Sequence, residues 1–254
     1  MLDFTEYIEF QKGNIPLILS VPHGGRLEFN RIPRRTEGIL GVDGRTISIT
    51  KTFIRLLKDK FKEHDSEVRI PSYVISKVPR SKIDINRKEE DAFVQDSIDA
   101  KEIYRFYHNK IKEFIFDNIK QFGRSLLIDI HGFEKNKRPP GYPDVDIILG
   151  TNNLTSFFST RVPRKNWLHS LRGKIIQSFL DLNIPIAPGH PKRREYALTG
   201  GYITKMYGAS QIPKSQAMQI EFSDRIRIYD DKLREMVSNL LVNILYEYIK
   251  NDVI

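Results

Sequence analysis

The stretch "SLLIDIHG" (residues 125–132) gives the strongest indication of the fold. It is a nearly continuous apolar run that ends in a histidine and a glycine. Such a run is typical of a strand that is buried on both faces, as in a parallel sheet covered by helices. A second run, "LILSVPHGG" (residues 17–25), also ends in histidine and glycine. We therefore predict that both strands are buried in an α/β sheet, where ligands bind at the carboxyl ends of strands.

Helical and strand patterns alternate along the rest of the chain. Apolar spacing predicts helices over residues 43–64, 97–122, 165–182 and 231–250, and a helical turn over residues 200–208. The remaining strands are predicted over residues 5–13, 67–76, 145–151, 184–189 and 217–223. The first of these is expected at a sheet edge, and Pro71 places the second near an edge or at a bulge. The pattern predicts a single domain over residues 1–254, with three α/β/α layers and a mixed, mostly parallel central sheet.

Composition narrows the class of protein. Of the 254 residues, 40% are hydrophobic and 29% are charged, which is typical of globular chains. No cysteine is present, so disulfides and thiolate zinc sites are excluded, and a metal would need His, Asp or Glu ligands. The N-terminus has no signal-peptide pattern, and no stretch approaches the roughly 18 apolar residues of a membrane span. We therefore expect a cytoplasmic protein without a membrane partner.

The net charge of +9 is compatible with nucleic acid, a membrane surface or an acidic small substrate as the partner. The basic clusters are short, and they lie in proline-containing loops at residues 31–35, 135–140 and 191–195. No nucleic-acid-binding motif accompanies them. We therefore expect no nucleic-acid partner. A basic anion- or nucleic-acid-binding module that has lost catalysis is the alternative from another class of function.

Polar residues suited to a metal site follow the apolar strands. His23 and His131 end the two central strands, and Glu221 stands in the last predicted strand. Asp43 lies at the start of the first long helix, where a side chain commonly caps the helix. Two imidazoles and one carboxylate can hold a divalent zinc ion and leave a position for water. A second carboxylate beside that position can take a proton and return it.

Two interpretations stay open for Asp129. Asp129, two residues before His131, either points away from that histidine or orients it. The other histidines lie on charged helices or in a loop, and we interpret them as structural or solvated: His64, His108, His169 and His190.

Taken in order, these motifs resemble the N-formylglutamate amidohydrolase family. The resemblance implies the α/β/α fold of zinc exopeptidases. It also implies zinc-dependent cleavage of the amide C–N bond of an N-acyl amino acid such as N-formylglutamate. A zinc peptidase or a cell-wall-type amidase with the same site is the alternative enzyme. The matching motifs span residues 20–223 and are "SVPHGG", the helix led by Asp43, "IDINR" (83–87), "LLIDIHGF", "DIILGT" (146–151), "TGGYITKMYG" (199–208) and "AMQIEFS".

The resemblance also implies roles for individual residues. His23 and His131 would be zinc ligands, and Glu221 the general base and acid. Zinc-dependent muramoyl amidases place a carboxylate at the start of the helix after the first histidine, which matches Asp43. Glu37 is the alternative third ligand.

Substrates of this family carry a free carboxylate beside the scissile amide, and a guanidinium group is its natural partner. Arg87 and Asn86 in "IDINR" match the family motif, and Arg80 is a second candidate arginine. A surface ion pair for Arg87 and an exposed loop position for Arg80 are the structural alternatives. Gly200 and Gly201 would let the backbone approach the substrate, or would make a tight turn. The expected partner is a small acidic N-acyl amino acid or a peptide-like molecule, and the loop over residues 134–144 is expected to shape its cleft.

Overall fold

The computed structural model describes residues 2–65 and 68–251. Within these residues the strands are β1 (Ile8–Gln11), β2 (Leu17–Val21), β3 (Ser72–Ser76), β4 (Ser125–Phe133), β5 (Ile147–Gly150), β6 (Ile186–Ala187) and β7 (Ser215–Ser223). The α-helices are α1 (Phe4–Tyr7), α2 (Thr46–Asp65), α3 (Glu89–Ala92), α4 (Ile98–Phe122), α5 (Leu171–Asp181), α6 (Tyr202–Tyr207) and α7 (Asp231–Asn251). Short 3₁₀ turns lie at Lys135–Lys137 and Arg164–His169, and a π-helical turn lies at Arg225–Tyr229.

The seven strands form one sheet in the order β1-β3-β2-β4-β7-β5-β6. The four strands β3, β2, β4 and β7 are parallel to one another. β1 runs antiparallel to β3, and β5 runs antiparallel to β7, whereas β6 is parallel to β5. The predicted mixed, mostly parallel sheet is confirmed.

Helices cover both faces of this sheet. One apolar cluster joins a face to α2, α5 and α7, and a second cluster joins the other face to α4 and α6. Successive residues of β2 alternate between them: Leu17 and Leu19 belong to the first cluster, and Ile18 to the second. Because both faces are covered, the central strands are apolar at nearly every position. The three-layer α/β/α architecture is also confirmed.

Local signals set the bounds of α4 as the sequence predicts. The Ser97 side chain caps the helix by accepting a hydrogen bond from the Ala100 amide, and Gly123 ends it in a left-handed conformation with φ of 76°. None of the helices in the described part of the chain is long and apolar enough to cross a membrane.

The first helix starts later than predicted, and Asp43 does not cap it. Helix α2 begins at Thr46, whose amide and hydroxyl both donate to the backbone carbonyl of Asp43. The Asp43 carboxylate points instead towards His131. The hypothesis that the Asp43 side chain caps this helix is therefore wrong. Its carboxylate is instead available to the predicted metal site.

Two other predicted elements are divided in the structure. The edge strand predicted over residues 5–13 begins as helix α1, because the Asp3 side chain accepts a hydrogen bond from the Thr5 amide. The helix predicted over residues 165–182 is a 3₁₀ turn followed by α5, because Ser170 starts a new helix by capping the Gly173 amide. Strand β3 starts after Pro71, second from the sheet edge, and Glu67 of its predicted range lies outside the described residues.

Candidate metal centre and substrate cleft

Three buried side chains meet at the carboxyl ends of β2 and β4: His23, Asp43 and His131. The two Nδ1 atoms of the histidines lie 3.2 Å apart. Asp43 Oδ2 lies 3.2 Å from Nδ1 of His131 and 3.6 Å from Nδ1 of His23. In a tetrahedral zinc site with bonds of about 2.0–2.1 Å, two ligand atoms lie about 3.3 Å apart. The three atoms are therefore spaced as ligands of one metal ion.

The other ring nitrogen of each histidine is held by a buried carboxylate. His23 Nε2 lies 2.7 Å from Asp84 Oδ1, and His131 Nε2 lies 2.8 Å from Asp129 Oδ2. Both aspartates are fully buried. When Nε2 donates to a carboxylate, the lone pair of Nδ1 is directed towards the metal position, and this is the usual support of a histidine ligand. Of the two alternatives for Asp129, the orienting one is correct.

The carboxylates around this group are held in their charged form. Burial opposes ionisation of Asp43, but its close contacts with the rings of His131 and His23 hold the pKa of its carboxyl well below the usual range. Burial also opposes ionisation of Asp84, yet hydrogen bonds from His23 and from the Arg80 guanidinium hold the pKa of its carboxyl low. A buried site with this negative charge suits a cation.

Asp84 belongs to the candidate site, although it was not singled out from the sequence. Its Oδ2 accepts a hydrogen bond from Arg80 Nε at 3.0 Å, and Arg87 Nε lies 3.5 Å from the same oxygen. The motif "IDINR" did contain a signal for this role, because its carboxylate stands between Ile83 and Ile85. A charged side chain inside an apolar segment needs a buried partner. Arg80 is largely buried in this ion pair, so the alternative of an exposed loop residue is wrong for it.

Glu221 stands beside the three-residue group on β7, directly opposite His131 in the register with β4. Gln219 Nε2 donates to its Oε1 at 2.9 Å, and Arg138 Nη2 lies 3.9 Å from its Oε2. Burial and the charge of Asp43 raise the pKa of the Glu221 carboxyl, whereas His131 and Arg138 act against that shift. A carboxyl group with a raised pKa beside a cleft is suited to taking and returning a proton.

A cleft of about 880 Å³ opens over the histidines. It is lined by all the residues predicted for the site other than Glu37: His23, Asp43, Arg80, Asn86, Arg87, His131, Gly200, Gly201 and Glu221. Glu37 lines a separate cavity beside Arg35 and Phe93. The carboxylate that the described structure brings to the histidines is therefore Asp43 rather than Glu37.

Asn86 and the glycine pair fix one another at the floor of the cleft. Asn86 Oδ1 accepts a hydrogen bond from the Ile203 amide at 2.8 Å, and its Nδ2 lies 3.1 Å from His131 Nε2. A Cβ on Gly201 would collide with the Asn86 side chain, so only glycine fits there. Gly200 has φ of 101°, a conformation that favours glycine.

No family model matches the chain, and no curated protein matches it. Among solved structures, N-formylglutamate amidohydrolase from Ralstonia eutropha JMP134 superposes with a TM-score of 0.66 at 14% identity, over 97% of this chain and 99% of that one. The chain has the N-formylglutamate amidohydrolase fold. A gene product from Agrobacterium tumefaciens has a TM-score of 0.55 at 14% identity, over 96% and 94% of the two chains. A bacteriophage poly-gamma-glutamate hydrolase has a TM-score of 0.50 at 11% identity, over 96% and 90%.

In this N-formylglutamate amidohydrolase fold, the cleft gains further basic residues that were not singled out from the sequence. Lys137 and Arg138 come from the loop over residues 134–144, which lines the cleft as expected, and Lys205 comes from α6. The Arg138 guanidinium lies 4.4 Å from the ring centre of Phe133, which holds it against the end of β4. Together with Arg80 and Arg87, these side chains make the cleft strongly basic.

Proposed function

We propose that this chain is a metal-dependent amidohydrolase, with zinc as the expected metal, that cleaves the amide C–N bond of a small acidic N-acyl amino acid. N-formylglutamate is the first candidate substrate. One observation carries the proposal: the ligand atoms of His23, His131 and Asp43 lie 3.2–3.6 Å apart, as one tetrahedral ion requires. The shared fold supports the same assignment.

The residues around this group suit amide hydrolysis. A zinc ion, when bound, lowers the pKa of water and polarises a carbonyl group. Glu221 is placed to take a proton from the attacking water and to deliver it to the departing nitrogen. The products are then a carboxylic acid and an amine. The raised pKa of the Glu221 carboxyl, caused by burial and by Asp43, makes its carboxylate a stronger base for the first step and lets it hold the proton until the nitrogen departs.

Arg87 is the proposed partner of the substrate carboxylate. Its side chain is 47% exposed and lies 3.5 Å from Asp84, so part of its guanidinium is open to the cleft. Arg80 is only 13% exposed and is hydrogen-bonded to the same aspartate at 3.0 Å. The Arg80 guanidinium is therefore occupied by its ion pair with Asp84. Arg87 is the better hydrogen-bond donor for the carboxylate of an incoming substrate.

A longer acidic amide is the second candidate substrate. A cavity of about 880 Å³ lies near the upper end of the range for sites that hold drug-sized ligands. Such a volume leaves room beyond a single N-acyl amino acid. The basic side chains of Lys137, Arg138 and Lys205 extend along the cleft and would meet further carboxylates. A peptide-like substrate with several acidic groups therefore fits the same site.

Metal analysis and activity measurements test this proposal together. We expect wild-type protein to hold near-stoichiometric zinc, and folded His23→Ala, His131→Ala and Asp43→Ala variants to lose it. Glu221→Gln should keep its zinc and lose amidase activity about 10²- to 10⁴-fold, because it removes the proton-transfer group. Glu37→Gln is the matched control for the third ligand and should keep its zinc.

Folded wild-type protein that takes up no zinc when supplied with it would contradict the proposal. The basic anion-binding module would then become the better explanation, and salt-sensitive binding to nucleic acid would be its test.

A further inference from the structure

Arg227 is a buried arginine close to the candidate metal centre. It lies in the π-helical turn that follows β7, and it is only 2% exposed. The other large, fully buried arginine, Arg172, has a carboxylate partner, because its Nε lies 3.1 Å from Glu195. In the part of the chain that the structure describes, no carboxylate lies within 4.0 Å of the Arg227 guanidinium. A buried charge without an ion pair is costly, so its hydrogen bonds need an explanation.

The guanidinium donates to three backbone carbonyls instead. Nε bonds the Phe222 carbonyl at 3.0 Å, Nη2 bonds the Phe133 carbonyl at 2.9 Å, and Nη1 bonds the Gly44 carbonyl. These three residues belong to segments that are far apart in the sequence. A planar guanidinium has donors that point in several directions in one plane, so it can join three segments at once.

Each of these carbonyls lies next to a residue of the site. Gly44 directly follows Asp43, and Phe222 directly follows Glu221. Phe133 stands two residues after His131, and the residue between them, Gly132, packs against the guanidinium. A Cβ at Gly132 would collide with the Arg227 side chain, which explains the glycine of the "HGF" motif.

We propose that Arg227 is a positioning residue of the metal centre, which sets the spacing of Asp43, His131 and Glu221 by holding the three backbone segments that carry them. This inference rests on the proposed metal site. The negative charges of Asp43, Asp224 and Glu221 favour the charged form of the guanidinium, whereas burial lowers its pKa. Arg227 also lines the cleft, but its Nε, Nη1 and Nη2 groups donate to backbone carbonyls, so it acts on the ligands through the backbone.

The zinc dissociation constant of Arg227 variants tests the inference without relying on activity. Arg227→Lys keeps the charge and loses the planar donor set, and Arg227→Met keeps most of the volume and loses the donors. We expect both variants to bind zinc about 10- to 100-fold more weakly in a chelator competition, as for other residues that orient metal ligands. Arg172→Met is the matched control, because it removes the other buried guanidinium away from the site, and it should leave zinc affinity unchanged.

A double-mutant cycle with Gly132 separates positioning from a general loss of stability. Gly132→Ala should weaken zinc binding in the wild-type background, because the new Cβ displaces Arg227. In an Arg227→Ala background the collision is gone, so the same substitution should have a much smaller effect. Added guanidinium ion should restore part of the zinc affinity of Arg227→Ala, which also provides a test if Arg227→Met does not fold.

The outcomes are distinguishable. Wild-type protein that binds zinc, with folded Arg227→Lys and Arg227→Met variants of equal affinity, contradicts this inference alone. Additive effects of Gly132→Ala and Arg227→Ala contradict it as well. Wild-type protein that binds no zinc contradicts the proposed function, and this inference with it.

Discussion

Asp84 meets the candidate metal centre through a hydrogen bond with His23. Its carboxylate holds Nε2 of His23 at 2.7 Å and is itself held by Arg80. Asp84→Asn keeps the size of the side chain but removes the negative charge that would make the proposed ligand His23 more basic. We expect the zinc dissociation constant to rise about 10- to 100-fold. Asp91→Asn, an exposed aspartate nearby in the sequence, is the control, and equal affinities of the two variants would contradict this role.

His108 makes stability depend on pH. It is buried, with Nδ1 2.7 Å from the Tyr207 hydroxyl and Nε2 3.0 Å from the Ile85 carbonyl, so the neutral ring satisfies both partners. Burial lowers the pKa of His108 from 6.5 to about 4. Below pH 6.5 the unfolded chain binds a proton that the folded chain does not, so stability is lost as the pH falls towards about 4. The loss is at most about 3 kcal/mol.

Denaturant unfolding between pH 7 and 4 measures this effect. We expect the free energy of unfolding of His108→Gln to fall less steeply over that interval than the wild-type value does. His169→Gln, a substitution of an exposed histidine, should keep the wild-type slope. Parallel slopes for wild type and His108→Gln would show that another group causes the dependence.

At the scale of elements, the short helix α6 and the cleft floor depend on one glycine. Gly201 precedes α6, and the Asn86 side chain occupies the space that a Cβ would need. Gly201→Ala should push Asn86 away from His131. Because a displacement of about 1 Å at a reacting centre can lower the rate about 10²-fold, we expect a loss of that size in kcat/KM for N-formylglutamate.

Gly189→Ala is the matched control for this prediction. It lies in the same connection between β6 and α6, and its Cβ would be 3.6 Å from the Ile186 carbonyl, an ordinary contact. Zinc content and thermal unfolding of both variants separate a local displacement from a loss of folding. If Gly201→Ala were as active as Gly189→Ala, Asn86 would not be held in place by that glycine.

The elements themselves could largely be predicted, because their signals are local. Strands β2 and β4 are apolar at nearly every position, and Ser97 and Gly123 mark the two ends of α4. The break at Ser170 could not be predicted from apolar spacing, because the 3₁₀ turn and α5 continue the same helical pattern. A hydroxyl that caps Gly173 decides where the new helix begins.

The residues of the candidate site could be predicted where they follow strands, where Asp43 precedes a helix, and where a family motif contains them. His23 and His131 end apolar runs, so parallel strands bring them to one edge of the sheet. Asp84 and Arg227 depend on partners that are distant in the sequence: Asp84 meets His23 across 61 residues, and Arg227 meets Gly44 across 183. No periodicity connects such pairs, so the structure is needed to find the partner of each residue.

For the whole molecule, the candidate metal centre is a crosslink between distant parts of the chain. His23 follows β2, Asp43 precedes α2, and His131 belongs to β4. A ligand that binds only the folded protein stabilises it by about 2.7 kcal/mol at a free concentration of 100 times its dissociation constant. In a protein of this size that corresponds to a rise of about 5–10 °C in Tm. We therefore expect zinc to raise the Tm of chelator-treated wild-type protein by this amount.

Thermal unfolding with and without zinc checks this expectation, and His23→Ala is its control. The variant cannot complete the three-ligand set, so its Tm should not respond to the same zinc concentration. An equal rise in both proteins would mean that zinc stabilises the fold at some other place. A rise confined to the wild type would link the stability of the sheet directly to the group formed by His23, Asp43 and His131, which joins the carboxyl ends of β2 and β4 to the start of α2.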